Sequence, residues 1–566
     1  MGVKRAMDKV LAIVRQKAGP VYTYGPLIHN RQAVEMLEAR GVAARTEFAE
    51  HETGTVLLRT HGVPPDVTQT LRAAGLQVED GTCPHVLRGQ RSIARRAAEG
   101  YNVIIVGDRD HDEVMGLAGH ARGNCRIIAS IDEAETVPVD GDVLVVAQTT
   151  FNKELFRRIV EALGARKPGI EIVDSICDAT SERQAEAREL ARRVDAMVVV
   201  GGFHSANTNR LAEVSRSTGT PTFHVETADQ LEAEPLAGYQ TVGVTAGAST
   251  PSWIISTVID RLRHIGRARS VPARFFSGLG AVVLDGNLYV AGGAAALTYA
   301  AIKLLGLQQD SVWDRVRLMV AAAGYIFAAY FLGRAAESRS LDSGLTRRGA
   351  FYQAHPRWMA ALTVLFSVAS VAALVKFGPV AVVLLAGSYA TAVAYGLLMA
   401  PRQRGRLAFF RNVPASKDLL AAAGWTMVTV LVPVVAAGGA SVYAVTAVAG
   451  YVFGMAFIRS VMFDFSDVMG DRLMGRDTLP ALVGVVRARV VLAVLAGLTA
   501  VALAAGAAAG VVVGPANWML VCSGYVLSYL VIFGTAVTAS ERRCAVVVDG
   551  GMWLAGLIAV AHVLWS

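Results

Sequence analysis

The feature that most constrains this chain is the series of apolar segments that fills its second half. From about residue 276 onward, stretches of Ala, Val, Leu and Gly contain few charged side chains, and several reach the roughly 18 residues that a helix needs to cross a bilayer. The residues before 276 are rich in Arg, Glu and Asp, and 566 residues are too many for one domain. We therefore expect a polar domain at 1–265, a basic juxtamembrane linker at 266–275 and a membrane domain at 276–566.

Apolar runs predict about nine transmembrane helices and an all-α membrane domain. The runs lie at about 281–305, 316–334, 357–375, 378–400, 418–438, 441–462, 488–512, 516–540 and 546–565. With the amino-terminal half in the cytoplasm, the loops on that side contain most of the loop arginines, and this distribution follows the positive-inside rule. No signal-peptide pattern opens the sequence. We expect a multi-pass protein of the inner (cytoplasmic) membrane with its polar domain in the cytoplasm.

The charge pattern narrows the class of binding partner. The net charge is +8, and no aromatic and basic module typical of nucleic-acid binding is present in the sequence. Basic residues before the first span, including Arg263, Arg267 and Arg274, favour contact with anionic headgroups, the alternative being a solvated linker. We expect lipid or diphosphate partners and no nucleic acid.

Two of the five cysteines stand out by position. Cys83 and Cys177 each follow a short strand-like run and precede a charged helical segment. Thiols at two matching turns suggest metal ligands, although a single cysteine is more often a small buried residue. The odd number of scattered cysteines argues against a disulfide framework, and we expect Cys125, Cys522 and Cys544 to serve in packing.

The sequence pattern of the polar domain predicts parallel strands separated by helices. Short apolar runs at 21–24, 55–58, 103–106, 143–146, 197–200 and 242–245 are typical of strands buried on both faces. Ligands of such sheets bind beyond the carboxyl ends of the strands, and polar loops begin there. These loops contain His29, His61, His111, Glu113, Gln148, Thr149, Ser205, Asn207 and Ser249. Imidazoles, hydroxyls, an amide and backbone N–H groups suit a diphosphate, although any single histidine has a structural alternative.

The ordered motifs Gly25–Asn30, Arg59–Pro65, His111–Val114, Gln148–Thr150, His204–Arg210 and Gly243–Ser249, with the two cysteines, resemble the hydroxymethylbutenyl diphosphate reductase (IspH/LytB) family. The resemblance covers Met1 to about Leu262. It implies a three-lobed α/β trefoil of parallel sheets around a [4Fe-4S] cluster held by three cysteines. It also implies the last reduction of the non-mevalonate isoprenoid route and a ferredoxin- or flavodoxin-type electron donor.

The same resemblance implies a role for each motif residue. Cys83 and Cys177 would be two cluster ligands, and Glu113 with Thr149 would deliver a proton to the departing hydroxyl. The remaining residues would bind the diphosphate: His29, His61, His111, Thr149, Ser205, Ala206, Asn207 and Ser249. Ala206 stands where the family commonly has a second serine, so we expect one hydrogen bond fewer to the substrate.

The first cluster cysteine of the family motif aligns one residue ahead of Met1, because the chain begins Met1-Gly2-Val3-Lys4-Arg5-Ala6. Two explanations compete. Either translation starts upstream and supplies that thiol, which we favour, or the domain has no cluster or borrows a ligand such as His85. A cubane held by only two thiolates would be labile.

The membrane domain resembles the UbiA superfamily of prenyltransferases. Asp464, Asp467 and Asp471 are spaced three and four residues apart and followed by a Thr-Leu-Pro sequence. Such spacing places carboxylates on one face of a helix end, as Mg²⁺ bridging to a diphosphate requires, although solvated acids are the alternative. Lys417 lies where that family has a basic residue for the diphosphate. The family's first aspartate motif is absent from 333–342, which puts transfer activity in doubt.

Three interpretations follow from the sequence. The main one is a [4Fe-4S] reductase fused to a UbiA-like membrane domain. The second is a membrane prenyltransferase whose polar domain supplies or senses its donor. The third is a non-catalytic diphosphate-binding fusion without a cluster.

Overall fold

The chain divides into two compact units, Met1–Ile265 and Gly266–Ser566, in a computed structural model. The structure describes residues 2–16, 19–27, 31–267, 280–337, 351–352, 354–398, 415–465, 468, 478–533 and 541–565. His29, Asp467, Asp471 and most of the predicted linker lie outside these residues. The two units are taken in turn.

The first unit contains three parallel sheets, as the predicted trefoil requires. Their orders are β2-β1-β3-β4, β6-β5-β7-β8 and β10-β9-β11, and all strand pairs are parallel, as where Val21 pairs with Val42 and Thr55. The strands are β1 Val21–Tyr24, β2 Val42–Arg45, β3 Thr55–Leu58, β4 Gln77–Asp80, β5 Asn102–Val106, β6 Cys125–Ile128, β7 Val143–Ala147, β8 Glu171–Val173, β9 Ala196–Val200, β10 Thr222–Val225 and β11 Val242–Ala246.

The position of a strand in its sheet explains whether the strand can be recognised from its sequence. Four of the five inner strands, β3, β5, β7 and β9, are almost wholly buried apolar runs, because helices cover both faces of a parallel sheet. The strands β2, β6 and β10 lie at sheet edges, where polar residues are tolerated. Their composition therefore gave no strand signal, and the sequence analysis did not identify them.

Helices connect consecutive strands and begin beside the polar loops. They are α1 Gly2–Gln16, α2 Arg31–Glu38, α3 Pro65–Ala73, α4 Pro84–Ala98, α5 Asp112–Ala118, α6 Ile131–Thr136, α7 Lys153–Arg166, α8 Asp178–Ala191, α9 Ala206–Arg216, α10 Ala233–Leu236 and α11 Ser252–Arg267. Short 3₁₀ turns lie at Gly119–Ala121 and Ala228–Gln230. Helical crossovers between parallel strands bring strand ends and helix starts to one edge of each sheet.

The second unit is helical throughout its described residues. Its helices are Leu288–Leu304, Val312–Glu337, Pro356–Leu374, Pro379–Leu398, Ser416–Thr426, Val432–Ala436, Val442–Asp464, Leu479–Val483, Val485–Ala508, Leu520–Phe533 and Glu541–Trp565. A 3₁₀ turn lies at Val375–Phe377, and π-helical turns lie at Ala281–Asp285 and Met427–Leu431. The second π turn precedes Pro433, whose missing N–H interrupts regular helical bonding.

Six helical segments of the described chain are long and apolar enough to cross a membrane: Val312–Gly333, Pro356–Phe377, Ser416–Ala436, Val442–Asp464, Val485–Ala508 and Arg543–Trp565. Three shorter apolar helices, Leu288–Leu304, Pro379–Val393 and Leu520–Ile532, coincide with the other predicted spans. A multi-pass membrane domain is therefore supported, and the count of nine remains a prediction.

Candidate functional site

Helix amino termini position the polar residues of the first unit. Cys83, His111, Cys177 and Ser205 each occupy the N-cap, the residue immediately before α4, α5, α8 and α9 respectively. An N-cap residue has extended backbone and lies where unpaired N–H groups give the helix end a partial positive charge. Four of the residues that the sequence analysis singled out therefore lie at helix ends that favour anions.

A continuous chain of contacts joins the second sheet's site residues. The backbone N–H of Cys177 donates to the carbonyl oxygen of Thr149 at 3.0 Å. The Thr149 N–H and hydroxyl donate to the two carboxylate oxygens of Glu113 at 2.6 and 2.8 Å. The Glu113 N–H donates to Nδ1 of His111 at 3.1 Å. A neutral His111 consequently carries its proton on Nε2, and the four residues form one structural unit.

Glu113 is the most unusual of these groups, because its side chain is buried and only 1% exposed. Burial raises the pKa of Glu113 to about 7, against the lowering effect of the two hydrogen bonds from Thr149. Desolvation disfavours the charged carboxylate more than two neutral donors stabilise it. Glu113 therefore exchanges a proton near neutral pH, as a general acid must.

The first sheet adds its residues to the same site through His61. The His61 ring meets the His111 ring edge to face, with 5.4 Å between centroids. The neighbouring Thr60 carbonyl accepts the backbone N–H of Cys83 at 3.0 Å, and Arg59 forms a 2.8 Å ion pair with Asp112 of α5. The backbones of both predicted cysteines are thus hydrogen-bonded to loops that carry these histidines and carboxyl groups.

The third sheet is linked through α9. Arg210 of α9 approaches Asp108 Oδ1 at 3.5 Å and lies over the ring of Phe151, 5.4 Å from its centroid. One turn earlier on the same helix, Asn207 is 9% exposed, and neither amide atom of its side chain has a hydrogen-bond partner among the described residues. An unsatisfied buried amide is costly. A ligand that forms hydrogen bonds with the Asn207 amide would remove this cost.

The last two predicted residues lie near the start of α9. Ala206 is the first residue of that helix, and Ser249 follows β11 in the loop that returns toward it. A Cβ added to Gly247 of this loop would lie 2.2 Å from the Thr208 hydroxyl oxygen, so the loop packs against α9. The described site residues of three sheets are therefore collected around helix amino termini.

An iron–sulfur cluster needs thiolate ligands, and Cys83 and Cys177 are the candidates in this domain. Cys83 and Cys177 are both half-buried thiols at helix amino termini. Within the described residues, however, no group of three His, Cys, Asp or Glu side chains is placed to hold a metal. Cys125 is on strand β6, and burial raises the pKa of its thiol to about 11. The residues fit two ligands of a three-thiolate site.

The membrane domain has a polar cluster of its own. Lys417 pairs with Asp464, and the Ser460 hydroxyl donates to Asp418 Oδ1 at 2.6 Å. These contacts join the helices Ser416–Thr426 and Val442–Asp464. Lys417 and Asp464 therefore lie together, and the sequence analysis overlooked Asp418 although it follows Lys417 directly.

Sequence reasoning also missed a buried ion pair inside the helical domain. Arg459 is 2% exposed, and its Nε donates to Asp549 Oδ1 at 2.6 Å. Its guanidinium also contacts the Tyr330 hydroxyl and lies 5.4 Å from the Trp425 ring centroid. Charged residues within apolar runs were the available signal, since such residues are rare in membrane spans and pair inside the bundle.

The first unit is similar in sequence to one family of known proteins. A family model described as LytB protein matches residues 1–263. A 4-hydroxy-3-methylbut-2-enyl diphosphate reductase from Geotalea daltonii is 42% identical over 269 residues, covering 48% of this chain and 95% of the relative. The solved E-1-hydroxy-2-methyl-but-2-enyl-4-diphosphate reductase of Plasmodium falciparum is 25% identical with a TM-score of 0.44, over 46% of this chain and 83% of that one.

The helical domain has structural neighbours among UbiA homologs. The apo structure of a UbiA homolog from Aeropyrum pernix K1 is 16% identical with a TM-score of 0.39, covering 48% of this chain and 97% of that one. Because this TM-score is below 0.5, the likeness does not indicate what the helical domain does. Only the domain's own residues can indicate its function.

Proposed function

Because the chain belongs to the LytB protein family over residues 1–263, we propose that its amino-terminal domain reduces 4-hydroxy-3-methylbut-2-enyl diphosphate to isopentenyl and dimethylallyl diphosphate. This would be the last reduction of the non-mevalonate isoprenoid route. The reaction breaks the allylic C–O bond, takes up two electrons and two protons, and releases the hydroxyl oxygen as water. The domain must therefore hold a diphosphate, deliver a proton to a hydroxyl and admit electrons.

The observation that carries this proposal is the contact chain from Cys177 through Thr149 and Glu113 to His111. In this chain the Glu113 carboxyl group, with a pKa of about 7, is linked through Thr149 to the backbone of Cys177 and through its own backbone N–H to the His111 imidazole. Protonated Glu113 passes its proton to the leaving hydroxyl, and the Thr149 hydroxyl orients that transfer. A proton donor is most effective when its pKa lies near the working pH.

A [4Fe-4S] cluster, when bound, would supply electrons one at a time and hold the substrate's hydroxyl. Cys83 and Cys177 are the residues of this chain that would ligate it. Thiolates are the ordinary ligands of such clusters, and the two thiols stand at the amino termini of α4 and α8. The third ligand is not among the described residues.

The diphosphate end is proposed at His61, His111, Ser205, Asn207 and Ser249, with His29 assigned to it by motif alone. The unpartnered Asn207 amide and the N-terminus of α9 offer N–H donors to phosphate oxygens. Ala206 cannot contribute a hydroxyl. We therefore expect the substrate to bind with one side-chain hydrogen bond fewer than a serine at this position would allow.

The experiment uses the full chain, purified anaerobically in detergent and supplied with reduced methyl viologen. Iron and acid-labile sulfide are quantified, and the two products are separated by liquid chromatography with mass detection. We expect iron and sulfide near four each per chain and both isomers as products. Cluster-loaded protein that makes neither product would refute the reductase. Protein that binds no iron but retains substrate would favour a non-catalytic diphosphate-binding domain.

We further propose that the membrane domain holds the reductase at the inner membrane, with the reductase in the cytoplasm, and binds a prenyl diphosphate. The observation that favours this is the pairing of Lys417 with Asp464, because a cation at the start of one helix and a carboxylate at the end of another suit a Mg²⁺ diphosphate. Titration with geranyl diphosphate, with and without Mg²⁺, tests it. Binding that Asp464→Ala abolishes supports the proposal, and wild-type protein without binding refutes it.

A further inference from the structure

The outer face of α4 carries a stripe of exposed arginines. Arg88, Arg91 and Arg95 are all exposed and are spaced three and four residues apart, which places them on one side of a helix. The opposite side of α4 buries Val86, Gln90 and Ile93. The stripe is therefore a surface feature of a helix that is otherwise anchored in the domain.

Most of this charge is not neutralised by neighbouring acids. Arg157 on α7, by contrast, pairs within its helix with Glu154 and Glu161. For Arg88 and Arg91 the structure records no ion pair among the residues that it describes. At the far end, Arg95 approaches Glu171 only at 3.9 Å and its side chain is 63% exposed. Unpaired surface cations are solvated at rest and remain available to a partner.

The stripe begins beside a thiol of the proposed redox site. Cys83 is the N-cap of α4, so Arg88 lies little more than one turn further along the same helix. A Cβ added to Gly2 would lie 2.7 Å from the Cys83 sulfur, which brings the start of α1 to the same place. Arg5, one turn along α1, is exposed as well. Two helices thus present cations around the half-buried Cys83.

The proposed reaction requires two electrons for each substrate, and these must come from outside the domain. We propose that Arg88 and Arg91, with Arg5, form the docking surface for a small acidic protein that carries one electron at a time. This inference rests on the proposed reductase function. Charge complementarity argues for an acidic partner, since opposite charges steer association and fix orientation. A protein carrier fits better than a lipid surface, because only the carrier has to approach Cys83.

The test uses full-length protein in nanodiscs of zwitterionic lipid and an oxidised acidic [2Fe-2S] ferredoxin as the probe. The variant Arg88→Glu/Arg91→Glu is compared with Arg192→Glu/Arg193→Glu, which changes the net charge equally at exposed arginines after α8. We expect the dissociation constant, measured by calorimetry at low salt, to rise at least tenfold for the α4 variant and less than threefold for the control. Raising the salt concentration should weaken wild-type binding.

Equal losses in the two variants, or no loss in either, would overturn the proposal. So would wild-type nanodiscs that capture phosphatidylglycerol vesicles through Arg88 and Arg91 but show no affinity for ferredoxin. Turnover separates this inference from the reductase itself: the α4 variant should lose activity with reduced ferredoxin and keep it with methyl viologen. If methyl viologen supports no turnover in the wild type, the reductase proposal fails, and the ferredoxin titration still decides the docking surface.

Discussion

The two halves of this protein treat buried carboxyl groups in opposite ways. Among the described residues, the Glu113 side chain in the α/β domain is held only by the N–H and hydroxyl of Thr149, whereas Asp549 and Asp464 in the helical domain pair with Arg459 and Lys417. Neutral donors leave a buried carboxyl group able to take up a proton, whereas an ion pair ties together the two helices that carry its members. The first arrangement suits proton transfer, and the second suits helix association or ion binding.

The largest effect is expected from the thiols, which set the α/β site apart from the helical one. Cys177→Ser should remove a cluster ligand and abolish both iron binding and turnover, because a serine hydroxyl does not replace a thiolate in such clusters. Iron analysis and the product assay measure this. Cys522→Ser is the matched control, since Cys522 is buried in the helical domain. Iron content that survives in Cys177→Ser would contradict the assignment.

Glu113→Gln isolates the carboxyl group from the rest of the site. The amide keeps the size of the side chain but cannot supply a proton, so turnover should fall roughly 10²–10⁴-fold with iron content unchanged. In the wild type the protonated form is the active one. Its rate should therefore fall as pH rises through about 7, and this decline should be missing in the variant.

Glu135→Gln serves as the control, because Glu135 is exposed on α6. A pH profile that is unchanged by Glu113→Gln would mean that another group delivers the proton.

In the helical domain the matching experiment should change stability and leave catalysis unaffected. Arg459→Met leaves Asp549 buried without its cation, which typically costs about 3–5 kcal/mol. Arg459→Met/Asp549→Leu removes both charges and should recover most of the loss. Thermal unfolding in detergent measures the two variants, and reductase turnover below the unfolding temperature should remain at the wild-type level. A double variant as unstable as the single one would show that the pair does not act through charge.

The smallest effect is expected at Ala206. Ala206→Ser adds a hydroxyl at the first residue of α9, where a diphosphate oxygen would accept its hydrogen bond. One such bond is worth ~1.5 kcal/mol, so the substrate's KM should fall by up to about tenfold with kcat nearly constant. The variant Ala212→Ser, at a buried position on the same helix, controls for a general change in α9. An unchanged KM for Ala206→Ser would place the diphosphate away from this helix end.

Particular residues show how far the sequence could lead. The inner strands and the four N-cap residues were predictable, because continuous apolar runs and strand-to-helix turns have local signatures. The edge strand Cys125–Ile128 was not, since its pairing with β5 depends on residues distant in sequence. The Glu113–Thr149 contact was expected only from the family resemblance. The partners of Arg459 come from three other helices, and no local pattern specifies them.

The protonation state of Glu113 tests the central claim most directly. Infrared difference spectra between wild-type protein and Glu113→Gln, recorded on the full chain across pH 5–9, report the carbonyl band of a protonated carboxyl group. The band should be present at pH 5 and disappear with a midpoint near 7. A carboxylate signal at every pH in this range would contradict the claim that this domain holds a neutral acid beside its proposed redox thiols.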